Sequence, residues 1–190
     1  MNQAVDFAKQ FLLAMPGLVG EHFAGSLIYI CEHSEKGALG LVINRPTDLR
    51  VSHLLEKIDL SSPTDMIVDR SQDFVFYGGP VQTDRGFVLH SPTRDYNSTL
   101  ALGDGLALTT SRDILQDVAS GAAPERMMVA LGYAGWGAGQ LEEEMAQNAW
   151  LSMPAHDNII FEVAPEQRYL QALSLLGIDP IMLTGASGHA

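Results

Sequence analysis

The feature that most constrains this chain is an apolar run that leads into closely spaced glycines. Met127–Leu131 has the length and composition of a buried β-strand. Glycines follow at positions 132, 135, 137 and 139, interleaved with Tyr133 and Trp136. Three glutamates, 142–144, then open a helix and complement its positive N-terminal end. The run predicts a strand, a glycine-rich loop and a helix, a layout that can present backbone N–H groups to a ligand.

The predicted loop does not match the nucleotide-binding motifs. A dinucleotide fingerprint would need a third glycine where Gln140 or Glu142 stands, and no lysine follows Lys57 to complete a phosphate loop. Two interpretations of the glycines remain open and are compatible with each other. In one, they let Trp136 pack beneath a neighbouring element. In the other, Trp136 and Tyr133 form the wall of a ligand pocket.

Length and charge limit the function classes. A chain of 190 residues, 46% of them hydrophobic, predicts one domain that spans residues 1–190. The chain has 11 basic and 23 acidic residues, which gives a net charge of −12, and the basic residues do not cluster. Because nucleic-acid binding requires several Lys or Arg side chains facing the phosphates, direct binding to DNA is disfavoured.

The chain has the composition expected of a cytoplasmic protein. Cys31 is its single cysteine, so no intramolecular disulfide can form, which fits a reducing compartment. The N-terminal apolar run, Phe11–Met15, is too short for a signal peptide. No stretch approaches the roughly 20 apolar residues of a membrane helix. We therefore expect a cytoplasmic protein that does not enter a membrane.

Periodicity predicts the remaining elements. Apolar runs predict strands at 11–15, 27–31, 38–43, 66–68, 74–77, 86–90, 100–102, 106–109 and 159–163. Helical spacing predicts helices at 51–58 (capped by Asp48 and ended by 61–63), 111–120 (capped by Thr110), and from Pro165 to Gly177. The expected antiparallel pairs are 27–31 with 38–43, 74–77 with 86–90, and 100–102 with 106–109. Residues 150–154 are expected to form a connector and 184–190 a frayed tail. This order predicts a mixed sheet with helices packed on it.

Several short motifs, distributed in order along nearly the whole chain, resemble those of one protein family. They are AMPGL (14–18), IYICEH (28–33), GLVINRP (40–46), YGGPV (77–81), GFVLH (86–90), LGYAGWGAGQLEEE (131–144) and NAWL (148–151). On these motifs the chain resembles the AlgH/YqgE family of bacterial proteins. The resemblance implies one cytoplasmic α/β domain of α+β character, with a mixed, largely antiparallel, partly barrel-like sheet. It also implies a transcriptional regulator, linked in some bacteria to alginate synthesis. No biochemical activity is established for the family, so the resemblance supplies no catalytic residues.

Cys31 and His33 have the chemistry of an activated nucleophile. They lie two residues apart on a predicted strand and so are expected on one face, where the imidazole would help to form a thiolate. The favoured alternative is that Cys31 is a small buried side chain and that His33 caps the hairpin. The other histidines are scattered, so we predict no metal site and no cofactor.

Residues at the ends of predicted strands form a candidate ligand or partner surface, because binding residues concentrate in such loops. Arg45 would bind a carboxylate or an acidic partner, unless it forms a structural ion pair with one of the chain's 23 acids. The predicted surface comprises Asn44, Arg45, Gly78, Gly79, Tyr133, Gly135, Trp136, Gly137 and Gln140.

Three functional hypotheses follow from these observations. The favoured one is a non-enzymatic regulatory protein that acts through a protein or small-molecule partner. The alternatives are a thiol enzyme that uses Cys31 and a transcriptional regulator that contacts DNA directly. The acidic composition weighs against the last of these.

Overall fold

The structure, a computed structural model, describes residues 4–60 and 69–185. Within these residues the chain forms ten strands: β1 Gln10–Ala14, β2 Leu27–Ser34, β3 Gly37–Val42, β4 Pro46–Arg50, β5 Phe74–Tyr77, β6 Val81–Ser91, β7 Thr99–Gly103, β8 Leu106–Thr109, β9 Arg126–Gly137 and β10 Trp150–Pro154. It also forms six α-helices: α1 Val51–Lys57, α2 Asp113–Ala119, α3 Gln140–Ala146, α4 Asp157–Phe161, α5 Pro165–Leu175 and α6 Pro180–Gly185. Short 3-10 helices lie at Glu21–Phe23 and Asp69–Gln72.

The strands form one sheet that curls into a half-barrel. Its order is β10-β1-β2-β3-β9-β6-β8-β7, with β4 paired to β5 and β5 paired to β9. The β5–β9 pairing is parallel, and the other pairings are antiparallel. The predicted fold class, a mixed and largely antiparallel sheet with helices packed on it, is confirmed. Both hairpins, β2–β3 and β7–β8, are also confirmed.

Strand β9 is the centre of the sheet, and it is longer than predicted. It continues without a break through Gly137. The prediction of a loop that begins after residue 131 is therefore wrong for residues 132–137. The glycines allow close approach between backbones: a Cβ on Gly132 would lie 2.3 Å from the carbonyl oxygen of Gly79. The predicted pairing of residues 74–77 with 86–90 is also wrong, because β9 lies between β5 and β6. Ala130 of β9 pairs with Phe76 on one side and with Phe87 on the other.

Two further segments differ from the prediction. Residues 150–154 form β10, which pairs with β1 along its whole length, instead of a connector. The run Ile159–Val163 was predicted as a strand, but α4 begins at Asp157 and ends at Phe161. Short apolar runs do not distinguish a strand from a buried helical turn, and here packing against α5 decides.

The predicted helix starts are also corrected. Asp48 lies within β4, and α1 is preceded by Arg50 at its N-cap. Arg112, instead of Thr110, precedes α2. Helix α6 was not predicted. The expected helix end at 61–63, the strand at 66–68 and the last five residues of the expected tail lie outside the described residues.

Alternate residues of the sheet enter separate apolar clusters. On β1, Phe11 and Leu13 face the cluster that α4 and α5 cover, whereas Leu12 faces a second cluster with Trp136 and Trp150. A third cluster lies beneath α1 and α2. Among the described residues, no helix is long and apolar enough to cross a membrane.

Candidate functional site

An open groove of about 780 Å³ lies between the β2–β3 hairpin and the C-terminal half of β9. We call it the hairpin groove. Its volume is within the range of ligand-binding clefts. The lining residues are Ala8, Glu32, His33, Ser34, Lys36, Gly37, Ala38, Leu39, Val81, Tyr133, Gly135 and Trp136.

Two smaller cavities extend this surface around the hairpin. One, of about 430 Å³, shares His33, Ser34 and Lys36 with the hairpin groove and reaches Glu142. The other, of about 350 Å³, shares Glu32 and Leu39 with it and extends over β6, β7 and β8. The hairpin therefore carries a continuous concave surface.

His33, on β2, is fixed at the edge of the groove by contacts to two other segments of the chain. Its side chain is 6% exposed, its Nδ1 accepts a hydrogen bond from the backbone N–H of Phe7 at 3.0 Å, and its Nε2 contacts the carboxylate of Glu142. Because Nδ1 accepts, we place the imidazole proton on Nε2, which donates to Glu142. Hydrogen bonds from its own backbone N–H and from His33 hold the pKa of Glu142 below its usual value.

Cys31 and His33 do not form a reactive pair, and the expectation that they share a face is wrong. A bulge between Ile30 and Glu32 inserts one residue and shifts the alternation of β2. Cys31 consequently packs into the cluster beneath α4 and α5, whereas the imidazole packs against Phe7, with ring centroids 5.3 Å apart, on the opposite face. Cys31 is 4% exposed, and burial raises the pKa of its thiol far above the ordinary range.

Trp136 is a core residue with one edge on the groove. It is 6% exposed, and its ring stacks on Phe23 and meets Trp150 edge-on, with centroids 6.3 Å and 6.0 Å away. Its indole N–H donates to Glu144, which also accepts from Gln140. Trp136 therefore packs in the core with most of its ring and lines the groove with one edge, which accommodates both interpretations of the glycine-rich run.

Asn44 and Arg45 hold a loop in place. The Asn44 side chain accepts from the Leu27 N–H and donates to the Gly25 carbonyl, both at 2.9 Å. Arg45 donates to the carbonyl oxygens of His22 and Ala24 at 2.5 and 2.6 Å. Arg45 forms no ion pair with an acid among the described residues, because its guanidinium group donates to these carbonyl oxygens instead.

The structure separates the nine predicted surface residues into three groups. Tyr133, Gly135 and Trp136 line the hairpin groove. Gly137 and Gln140 follow directly and bind each other, with the Gly137 N–H donating to Gln140 Oε1 at 3.0 Å. The remaining residues, Asn44, Arg45, Gly78 and Gly79, lie against the 22–25 loop or against β9.

The hairpin side of the groove was not predicted from the sequence. Glu32 and Ser34 lie at the end of β2 and Lys36 lies in the turn that follows it, all within the polar segment 32–37 that joins the two predicted strands. Its density of charged residues was the available indication. Among the described residues, no group of three or more His, Cys, Asp or Glu side chains is arranged to hold a metal ion.

Comparison with known proteins gives consistent matches along the chain. A family model described as AlgH-like matches residues 11–181. A UPF0301 protein of Bordetella pertussis is 64% identical over 98% of this chain and 91% of its own length, and one of Ralstonia pickettii is 53% identical over 98% and 96%. The solution structure of the AlgH protein from Pseudomonas aeruginosa is 44% identical, covers 100% of both chains and superposes with a TM-score of 0.80. A Corynebacterium diphtheriae protein, 19% identical over 96% of this chain and 92% of its own, shares the fold with a TM-score of 0.71.

Proposed function

This chain belongs to the AlgH-like family, and on that premise we propose that it is a non-enzymatic regulatory protein of the cytoplasm that acts through a partner bound in the hairpin groove. The composition of that groove supports the proposal. The aromatic side chains of Tyr133 and Trp136 line it together with Lys36 and Glu32 of the hairpin. Apolar walls with a few charged groups are typical of small-molecule sites.

The ligand that suits this groove is a small amphipathic molecule. Tyr133 and Leu39 offer apolar contact, while Lys36 is exposed and available to an anionic group. Lys36 is one of the two residues of the tight β2–β3 turn, which the pairing of Ser34 with Gly37 closes, and its backbone N–H donates to Ser34 Oγ at 3.1 Å.

The two alternative functions have less support. A thiol enzyme requires a thiolate, whereas Cys31 is buried and its pKa is raised. A DNA-binding protein requires free cationic side chains. Several guanidinium groups instead donate to backbone carbonyls of this chain, namely those of Arg45, Arg50, Arg70, Arg94 and Arg112. Any effect on transcription, including that on alginate genes, would therefore pass through the bound partner.

A protein partner is the second candidate, and one observation favours it. The hairpin groove and its two neighbouring cavities share lining residues and so form one surface around the hairpin. Val5 on this surface is 65% exposed. A surface of this extent can receive a protein segment as well as a small molecule.

Thermal unfolding in the presence of a metabolite panel tests the first candidate. A ligand at about 100 times its Kd adds roughly 2.7 kcal/mol, which raises the Tm of a chain of this size by about 5–10 °C. The shift should shrink in Lys36→Gln and persist in Lys57→Gln, because Lys57 is an exposed lysine of α1.

The outcomes separate the candidates. A ligand whose stabilisation is the same in both lysine variants would contradict binding in the hairpin groove. A flat panel, together with a protein captured from lysate by the parent chain and lost with Lys36→Gln, would favour the protein partner. Salt-dependent binding to duplex DNA in a fluorescence anisotropy titration would overturn both.

A further inference from the structure

Arg168 is a buried cation that the hairpin groove does not include. It belongs to α5 and is 6% exposed. Its Nε donates to the carbonyl oxygen of Val163 at 2.8 Å, and its Nη1 donates to that of Ile43 at 2.6 Å. No carboxylate among the described residues forms an ion pair with it. The charge is therefore held by carbonyl dipoles and by the ring of Phe76, whose centroid is 5.0 Å away.

The third nitrogen of the guanidinium group, Nη2, is not used by these contacts. It makes no hydrogen bond to the described residues. Ser26 Oγ is the fully enclosed side-chain polar atom that lacks a partner among those residues, so Nη2 is not fully enclosed. The space beside Arg168 is a cavity of about 260 Å³.

The walls of this cavity combine aromatic and polar groups. The lining residues are Arg70, Gln72, Asp73, Phe74, Phe76, Met127, Met128, Val129, Ile160, Phe161, Pro165 and Arg168. Burial disfavours the charged form of Arg168 and lowers its pKa to about 10. An anion in the cavity would offset that effect of burial.

We propose that this cavity binds a small organic monocarboxylate, whose carboxylate accepts hydrogen bonds from Nη2 of Arg168 and whose apolar part packs against Phe76 and Phe161. Within the described residues, Nη2 is the one guanidinium nitrogen of Arg168 that is free to donate, and it can bind one carboxylate group. Asp73, which pairs with Arg70 at 3.6 Å on the same wall, repels negative charge, so a second negative charge on the ligand is disfavoured. The cavity volume corresponds to roughly nine water molecules in the liquid, which leaves room for an acid as small as benzoate or propionate.

The site is separate from the hairpin groove, and the two share no lining residue. The outcome of an experiment on this site is therefore independent of the proposed function. The site would add a second ligand class, a small carboxylic acid.

An NMR titration of the full chain tests the proposal directly. Benzoate and propionate are the probes, benzamide is the uncharged control of similar shape, and inorganic phosphate is the multiply charged control, all at constant ionic strength. We expect saturable shifts of the Arg168 Nε–Hε resonance and of the amides of Phe76, Met128 and Phe161. Benzamide and phosphate should bind about tenfold more weakly or not at all, a difference of about 1.4 kcal/mol.

Variants complete the test. Arg168→Lys should abolish the shifts, although this buried change also risks the fold. Asp73→Asn leaves Arg168 in place and should tighten benzoate binding by a few-fold, because it removes the opposing charge and leaves Arg70 without its carboxylate partner. Arg126→Gln, at a half-exposed arginine paired with Glu162, should leave binding unchanged.

Three results would overturn the proposal. The first is a lack of saturation by either acid at about 20 mM, which is twenty times a Kd of about 1 mM. The second is equal binding of benzamide and benzoate. The third is tighter binding of phosphate than of benzoate. Unchanged or weaker benzoate binding in Asp73→Asn would also count against it.

Discussion

Trp136 and Trp150 donate their indole N–H groups to the same oxygen, Oε1 of Glu144, at 3.3 and 3.1 Å. They are the chain's only tryptophans. Glu144 was expected only to complement the helix terminus together with its two glutamate neighbours. The structure shows that its carboxylate also joins α3 to β9 and β10.

Glu144→Leu should lower the free energy of unfolding by about 1–3 kcal/mol, because two largely buried indole donors lose their acceptor. Urea denaturation followed by tryptophan fluorescence measures the change, and both fluorophores report on this cluster. Glu143→Leu, at the exposed neighbouring position, is the control and should change stability by less than about 0.5 kcal/mol. Equal losses in the two variants would show that the shared acceptor contributes nothing.

Trp136→Ala should destabilise the chain by about 3–5 kcal/mol, since it removes a 6% exposed ring packed against Phe23 and Trp150. Chemical denaturation monitored by circular dichroism measures the loss. This variant is therefore a poor probe of binding, in contrast with the exposed Lys36. A variant of unchanged stability would mean that Trp136 contributes only to the groove wall.

Cys31 should be unreactive towards a thiol reagent in the folded protein. It is 4% exposed, and burial raises the pKa of its thiol, so almost no thiolate forms at neutral pH. Ellman's reagent at pH 8 should modify it only as fast as the chain opens, and at once in denaturant. Rapid modification without denaturant would restore the thiol-enzyme hypothesis.

His90 should make stability fall on mild acidification. Its side chain is 0% exposed, and burial, with a smaller contribution from the charge of Arg94, lowers its pKa in the folded state. The unfolded chain then binds more protons between that pKa and the ordinary value of about 6.5, so stability rises with pH in this window and falls as pH drops below about 6.5.

The measurement is the free energy of unfolding between pH 7.5 and 5, with a maximum slope from His90 of about 1.4 kcal/mol per pH unit. His90→Gln retains a partner for the Thr109 hydroxyl, which lies 2.8 Å from Nε2, and should flatten the profile. A profile of the same slope in this variant would assign the pH dependence to other groups.

Gly132→Ala should lower stability by more than about 3 kcal/mol. Its φ of 77° costs an L-residue about 1–2 kcal/mol, and its Cβ would lie 2.3 Å from the Gly79 carbonyl oxygen. Gly137→Ala is the matched control on the same strand, because the nearest atom to its Cβ is Gln140 Oε1 at 3.9 Å. Thermal unfolding of both variants tests the difference. Similar midpoints would show that close contact with Gly79 does not require a glycine.

The sequence by itself determined the elements whose patterns are local. The alternation and polar turns of β2–β3 and β7–β8 define their hairpins, because strand pairing across a short turn needs no distant residue. The helical spacing of Val51, Leu54 and Leu55 similarly identified α1, and Pro165 identified the start of α5.

Only the tertiary structure decided the features that depend on residues far apart in sequence. Residues 132–137 are a strand because β3 and β6 pair with them and glycines permit the close contact with residues 78 and 79. The bulge in β2 placed Cys31 and His33 on opposite faces, which no spacing rule reveals. The hairpin groove and the Arg168 cavity arise where several elements converge, since a cavity is the space that packing leaves between them.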